Sequence, residues 1–128
     1  MAATIKARAG SAFKATIRYW TDDTKTVLVN TTGYTARLQL RAVQPPARVL
    51  LDSAAVDVVD ENNIPPGTIF GELEPGRWRI FLGKTLTKTL PPTVRFEVEL
   101  TNSADPEDTI LVCAGSIQVQ PQGVSGGE

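Results

Sequence analysis

Histidine is absent from the 128 residues, and cysteine occurs once, at Cys113. The two scarcities together remove imidazole-based catalysis, Cys/His zinc sites and intrachain disulfides. Long apolar runs are missing as well. No stretch approaches the roughly 20 apolar residues needed to cross a bilayer, and Lys6 and Arg8 are not followed by the apolar segment of a secretory leader. Neither sign of charge is in excess, with 13 Lys and Arg against 14 Asp and Glu, so no whole-molecule field draws in nucleic acid or an anionic membrane. Partners are expected to be recognised by shape and local patches, with no nucleic acid and no membrane among them. Uninterrupted helical stretches are rare, because 10 Gly and 9 Pro punctuate the chain. Residues 84–90 alone read as a short helix or single turn.

What is present is alternation with period two, the pattern of a strand with one dry and one wet face. Phe13, Ala15, Ile17 and Tyr19 alternate with Lys14, Thr16, Arg18 and Trp20. Tyr34, Ala36, Leu38, Leu40 and Ala42 alternate with Thr35, Arg37, Gln39 and Arg41. Val94, Phe96, Val98 and Leu100 alternate with Arg95, Glu97, Glu99 and Thr101, and Ile117 and Val119 with Gln118 and Gln120. Shorter strands are expected at residues 4–8, 26–29, 49–51, 56–59, 68–72, 77–82 and 109–114. Turn-forming clusters separate them: residues 21–23, 30–33, 45–46, 62–63, 65–67, 74–76, 91–92 and 102–108. Apolar residues at 41% and charged residues at 21% match an ordinary packed domain. One all-β domain over residues 1–121 is expected, an antiparallel sandwich of two half-buried sheets. Residues 122–128, rich in Gly and Ser, are expected to be a flexible C-terminal tail.

The chemistry on offer is thin. No serine occupies a Gly-x-Ser-x-Gly turn, and no phosphate loop or dinucleotide fingerprint is present; Gly83-Lys84-Thr85 ends like a phosphate loop but has Trp78 where its first glycine belongs. Gly10-Ser11 and Gly115-Ser116 read as turns. Asp57, Asp60 and Glu61, and separately Asp105, Glu107 and Asp108, are acidic clusters without calcium-loop spacing, and read as solvated loops. No catalytic residue, cofactor site or metal site is expected. Cys113 shares parity with Leu111 and reads as a small apolar residue rather than a reactive thiol.

Trp20, Arg18, Arg77 and Arg79 form the candidate interface. If residues 13–19 face the core through their odd positions, Trp20 points outward beside arginines, in the manner of a protein-interface anchor. A strand end that bends would instead carry it inward, so both placements stay open. Trp78 shares parity with Ile80 and Leu82 and belongs in the core.

Gly10-Ser-Ala-Phe-Lys-Ala-Thr-Ile-Arg-Tyr-Trp20, followed by Val27-Leu-Val-Asn-Thr-Thr-Gly-Tyr-Thr-Ala-Arg-Leu-Gln-Leu-Arg41, resembles the immunoglobulin-like domain at the N-terminus of phage baseplate upper proteins and related small phage tail or decoration proteins. Asn30-Thr31-Thr32-Gly33-Tyr34 occupies the family's turn into its strand of alternating apolar and basic residues, with Asn and Thr where the family often has Asp and Leu. The strand at 94–100 and the closing residues 110–119, with Gly115 between two β runs, are similar too. Gly33 and Gly115 are both expected at positive φ. The resemblance covers residues 4–120. It implies a structural protein with no catalytic residues, a homo-oligomer within a symmetric assembly whose partners are other phage structural proteins. Its place would be the virion, assembled in the host cytoplasm. A sandwich-type carbohydrate- or receptor-binding module is the alternative.

Overall fold

The computed structural model describes residues 2–43, 48–58 and 60–120. Among the described residues nine strands form: β1 (Ala2–Arg8), β2 (Phe13–Arg18), β3 (Tyr34–Ala42), β4 (Val49–Ala54), β5 (Val56–Asp57), β6 (Phe70–Glu74), β7 (Arg77–Leu82), β8 (Thr93–Asn102) and β9 (Asp105–Gln120). Between β7 and β8 lies α1 (Lys84–Thr89), where the short helix was expected. Strict alternation becomes strict burial in three strands that have neighbours on both sides, β3, β7 and β8. Ala36, Leu38, Leu40 and Ala42 of β3 are buried, as are Val94, Phe96, Val98 and Leu100 of β8 and Trp78, Ile80 and Leu82 of β7.

Sheet order is β1-β9-β8-β3-β4 in one layer and β2-β7-β6-β5 in the other. Trp78 and Phe70 of the second layer are buried in one core with Leu38, Leu40, Phe96, Val98 and Ile117 of the first. Each such side chain contributes about 1.5–3 kcal/mol on leaving water. The layers correspond to the two sheets of an immunoglobulin-like sandwich, with β4 added beside β3 as in variable-type domains. The usual disulfide between the layers is absent, since Cys113 lies on β9, and the core tryptophan comes from β7.

Two pairings depart from the antiparallel expectation. β1 lies parallel to β9, with Ile5 beside Ile117, and β5 lies parallel to β6, with Asp57 beside Glu72. The remaining ladders are antiparallel.

Local expectations fail at four places, each for a packing reason. Residues 109–114 and 117–120 are one continuous strand. Gly115 does not break it, because it is held between Phe96 of β8 and Ala3 of β1. Of the two glycines expected at positive φ, Gly33 has it and Gly115 does not; Gly10, Gly67 and Gly76 have it as well. Cys113 and Leu111 do not share a face. A bulge pairs Val98 with Cys113 but Glu99 with Leu111, so Cys113 packs against the core and Leu111 is 53% exposed. Residues 26–29 make only one bridge, Trp20 to Leu28, because this arm runs off the end of its sheet where no third strand meets it. The cluster at 102–108 shrinks to a turn at Ser103 and Ala104, since the ladder continues from Asn102 to Asp105. Position 59 and the expected tail at 122–128 lie outside the described residues.

Candidate protein interface

One end of the sandwich gathers the loops that follow β2, β6 and β8. The Asn30-to-Tyr34 step ties them together. The Asn30 carboxamide oxygen accepts from the Thr32 amide at 3.1 Å. Gly33, at φ +90°, turns the chain into β3 and accepts from the Ser103 amide at 2.9 Å. Thr31 is buried, and its Oγ1 accepts the Gly76 amide proton at 3.0 Å across the two loops. Gly76 in turn has φ +88°, and its carbonyl accepts from the Tyr19 amide at 2.8 Å. A Cβ placed there would come within 2.5 Å of the Val29 carbonyl oxygen, so only glycine lets the two loops approach.

The arm carrying Trp20 is anchored by this arrangement. Val29 donates to the Tyr19 carbonyl at 2.7 Å, and Thr21 to the Val27 carbonyl at 2.9 Å. Trp20 is half-buried, between the two placements left open by its sequence. It lines a shallow basin of about 520 Å³ with Arg18, Thr26, Val27, Leu28, Glu74 and Arg77. Val27 is 59% exposed at its rim, an apolar contribution that the strand expected at 26–29 concealed.

The four candidate interface residues do not all meet. Arg18 and Arg77 face each other across β2 and β7, an unfavourable like-charge pair that two carboxylates relieve: Arg77 Nε lies 2.8 Å from Glu74 Oε2 and its Nη1 lies 3.6 Å from Glu61 Oε2. Arg79 belongs elsewhere. Its Nη2 binds the same Glu61 oxygen at 3.0 Å, and it lines a separate pocket of about 250 Å³ with Lys14, Phe81 and Pro65. Trp78 is fully buried, in agreement with its parity.

The acidic clusters are engaged locally. Asp60 accepts from the Asn62 amide at 2.9 Å and caps the short turn Glu61–Asn63. Asp105 accepts from the Glu107 amide at 3.1 Å. Asp108 accepts from the Tyr34 hydroxyl at 2.9 Å, and this bond raises the Tyr34 phenol above its ordinary pKa. Glu72 was missed by sequence reading. It stands beside Asp57 at the mouth of a cavity of about 360 Å³ that Thr31 and Tyr34 also line. Burial, reinforced by the Asp57 charge, raises its carboxyl above the usual range. Burial likewise pushes the Cys113 thiol up to about 11, which disfavours the thiolate. Among the described residues, no three side chains of the metal-binding types converge. No helix among them is long and apolar enough to cross a membrane.

No protein-family model matches the chain, and no curated protein sequence matches it. Among solved structures, it is similar in fold to the extracellular domain of the voltage-gated sodium channel β4 subunit, which forms parallel homodimers with a role in cell–cell adhesion. The two chains are 12% identical, with 94% of this chain and 92% of that one covered and a TM-score of 0.48.

Proposed function

We propose that the chain is a non-enzymatic structural component of a bacteriophage particle, a tail, baseplate, neck or capsid-decorating subunit that works through protein–protein interfaces. The observation that carries this reading is the set of open strand edges. Among the described residues, both layers end in strands with a neighbour on one side only, including the seven-residue β1 and the six-residue β4. Such edges offer unpaired backbone donors and acceptors to another chain. The resemblance of residues 10–41 to baseplate immunoglobulin-like domains supplies the setting, the virion.

The test is to purify particles from the host, identify the chain among their proteins and locate it by electron microscopy. A chain found free and monomeric in the cell and absent from particles would sink the reading. Trp20 and Glu74 in one basin favour a second reading, a carbohydrate- or receptor-binding module. Specific, saturable binding on a glycan array, abolished by Trp20→Ala, would establish that alternative.

A further inference from the structure

Residues 60–69, on the way from β5 to β6, fold back over the outer face of β7 and β2 without filling the space beneath. Three local devices hold this cover in place. Asp60 caps the turn Glu61–Asn63, and its side chain also accepts from Asn63 Nδ2 at 3.0 Å. Glu61 then reaches down to the Arg79 guanidinium on β7 at 3.0 Å. Pro65 to Thr68 close a turn of the type II pattern: the Thr68 amide donates to the Pro65 carbonyl at 3.2 Å, with Pro66 at the first corner and Gly67, at φ +84°, at the second. The cover is therefore formed before any ligand arrives.

The space left beneath it is the cavity of about 250 Å³, just below the size of sites for drug-like ligands. Strand register sets its floor. Lys14 stands directly across from Phe81, and Arg79, across from Thr16, stands diagonal to Lys14. The Lys14 ammonium lies 5.3 Å from the centre of the Phe81 ring and forms no ion pair among the described residues. Arg79 spends one N–H on Glu61, and its Nε is buried with no acceptor, so most of a guanidinium's donors are unspent. Two cations and one carboxylate line the cavity, and that carboxylate is shared with Arg77 at 3.6 Å. A positive charge is left over. On the cover, the Asn62 carboxamide and the Thr68 hydroxyl make no hydrogen bond among the described residues, and each both donates and accepts. Pro65, Pro66 and the Phe81 ring supply apolar walls.

We infer that this cavity binds one acidic sugar residue, a compact ring that bears a single carboxylate and several hydroxyls. Lys14 and the unspent N–H groups of Arg79 take the carboxylate in charge-assisted bonds. Asn62 and Thr68 pair with ring hydroxyls, and the C–H face of the ring lies against the prolines and Phe81. The single surplus charge matches a carboxylate, whereas Glu61 opposes a doubly charged phosphate. A peptide C-terminus is caught by a nest of free backbone N–H groups, and here the amides of Asn62, Asn63 and Thr68 are already bonded to Asp60 and Pro65. The inference goes beyond both readings of function, because the cavity is separate from the Trp20 basin and a structural subunit can carry it.

NMR titration of the isotope-labelled full chain with methyl glucuronide tests this. Methyl glucoside serves as the neutral control, and N-acetylalanine as a compact carboxylate without hydroxyls. The glucuronide should shift the amides of Lys14, Asn62, Thr68 and Arg79 saturably, and each control should bind about tenfold more weakly or worse. Lys14→Met keeps an unbranched stem over Phe81 and removes the charge, so it should weaken binding about tenfold or more. Arg79→Lys leaves a cation for Glu61 but removes the fork, and should weaken binding too, as should Thr68→Val. Trp20→Ala should leave it unchanged. Thermal melts confirm that each variant is folded. The inference is overturned by the absence of a saturable shift, by equal binding of either control, or by indifference to Lys14→Met and Thr68→Val. Loss of binding on Trp20→Ala alone also overturns it, because the sugar then sits in the basin. Recovery of the chain in purified particles would leave the structural-component reading standing in each of those cases.

Discussion

Replacing Thr31 by valine tests the junction that holds the candidate interface together. The two side chains have nearly the same shape, so the change removes a hydroxyl and little else. Thr31 is 2% exposed, and its Oγ1 accepts the Gly76 amide proton at 3.0 Å; the same side chain lowers the Glu72 carboxyl against the larger effect of burial. With valine, the Gly76 N–H is left buried and unpaired, at a cost of about 1–3 kcal/mol. The extra methyl returns at most about 0.8 kcal/mol of apolar burial. A net loss of about 1–2 kcal/mol is expected, which lowers Tm by roughly 4–10 °C in a domain of this size. Thr31→Ser keeps the hydroxyl and loses only a methyl, so it should fall less. Calorimetry on the three proteins decides the matter. A valine variant within about 1 °C of the parent, or a serine variant as damaged as the valine one, would refute the hydrogen-bond account.

Two further outcomes follow from the same region. Gly76→Ala combines a positive φ, which alone costs an L-residue about 1–2 kcal/mol, with a Cβ 2.5 Å from the Val29 carbonyl; denaturant titration should show a larger loss than Thr31→Val gives. Glu72→Gln should make stability less dependent on pH. Because the Glu72 carboxyl is raised in the folded state, the native protein holds that proton more tightly than the unfolded chain, so the parent loses stability as pH climbs from the ordinary glutamate range through the raised value. The variant, tracked by urea titrations from acid to neutral pH, should gain on the parent above that window and not below it.

The legible parts of the fold are those where burial is uniform along a strand. β3 and β8 have neighbours on both sides, so each keeps one face dry from end to end and its alternation stays in phase. The closing strand was misread because a bulge near Val112 inverts the phase and because Gly115, a breaker in isolation, is clamped between two neighbours. No local pattern could announce the β1–β9 pairing, whose partners are separated by nearly the whole chain. At the candidate interface, arginines beside a tryptophan were enough to mark Arg18, Trp20 and Arg77, which share the basin. Arg79 does not join them because it stands two residues further along β7, across from Thr16 and Gly71, where it lines the pocket with Lys14 and Phe81. Thr31 left no mark, since a threonine amid Asn, Thr and Gly reads as an ordinary loop residue until its partner at Gly76 is located.

The parallel seam between β1 and β9 also sets an order of events. Ala2 must find Ala114, and Arg8 must find Gln120, so β1 waits for a strand synthesised 112 residues later. Contacts that close so long a loop form slowly, so β1 is expected to dock after the ladders that join strands nearer in sequence. Until then β9 presents a bare edge of its own to any other emerging chain, a period in which strand exchange between copies competes with correct folding. Completion of the fold covers that edge, and the outer position in the sheet passes from β9 to β1.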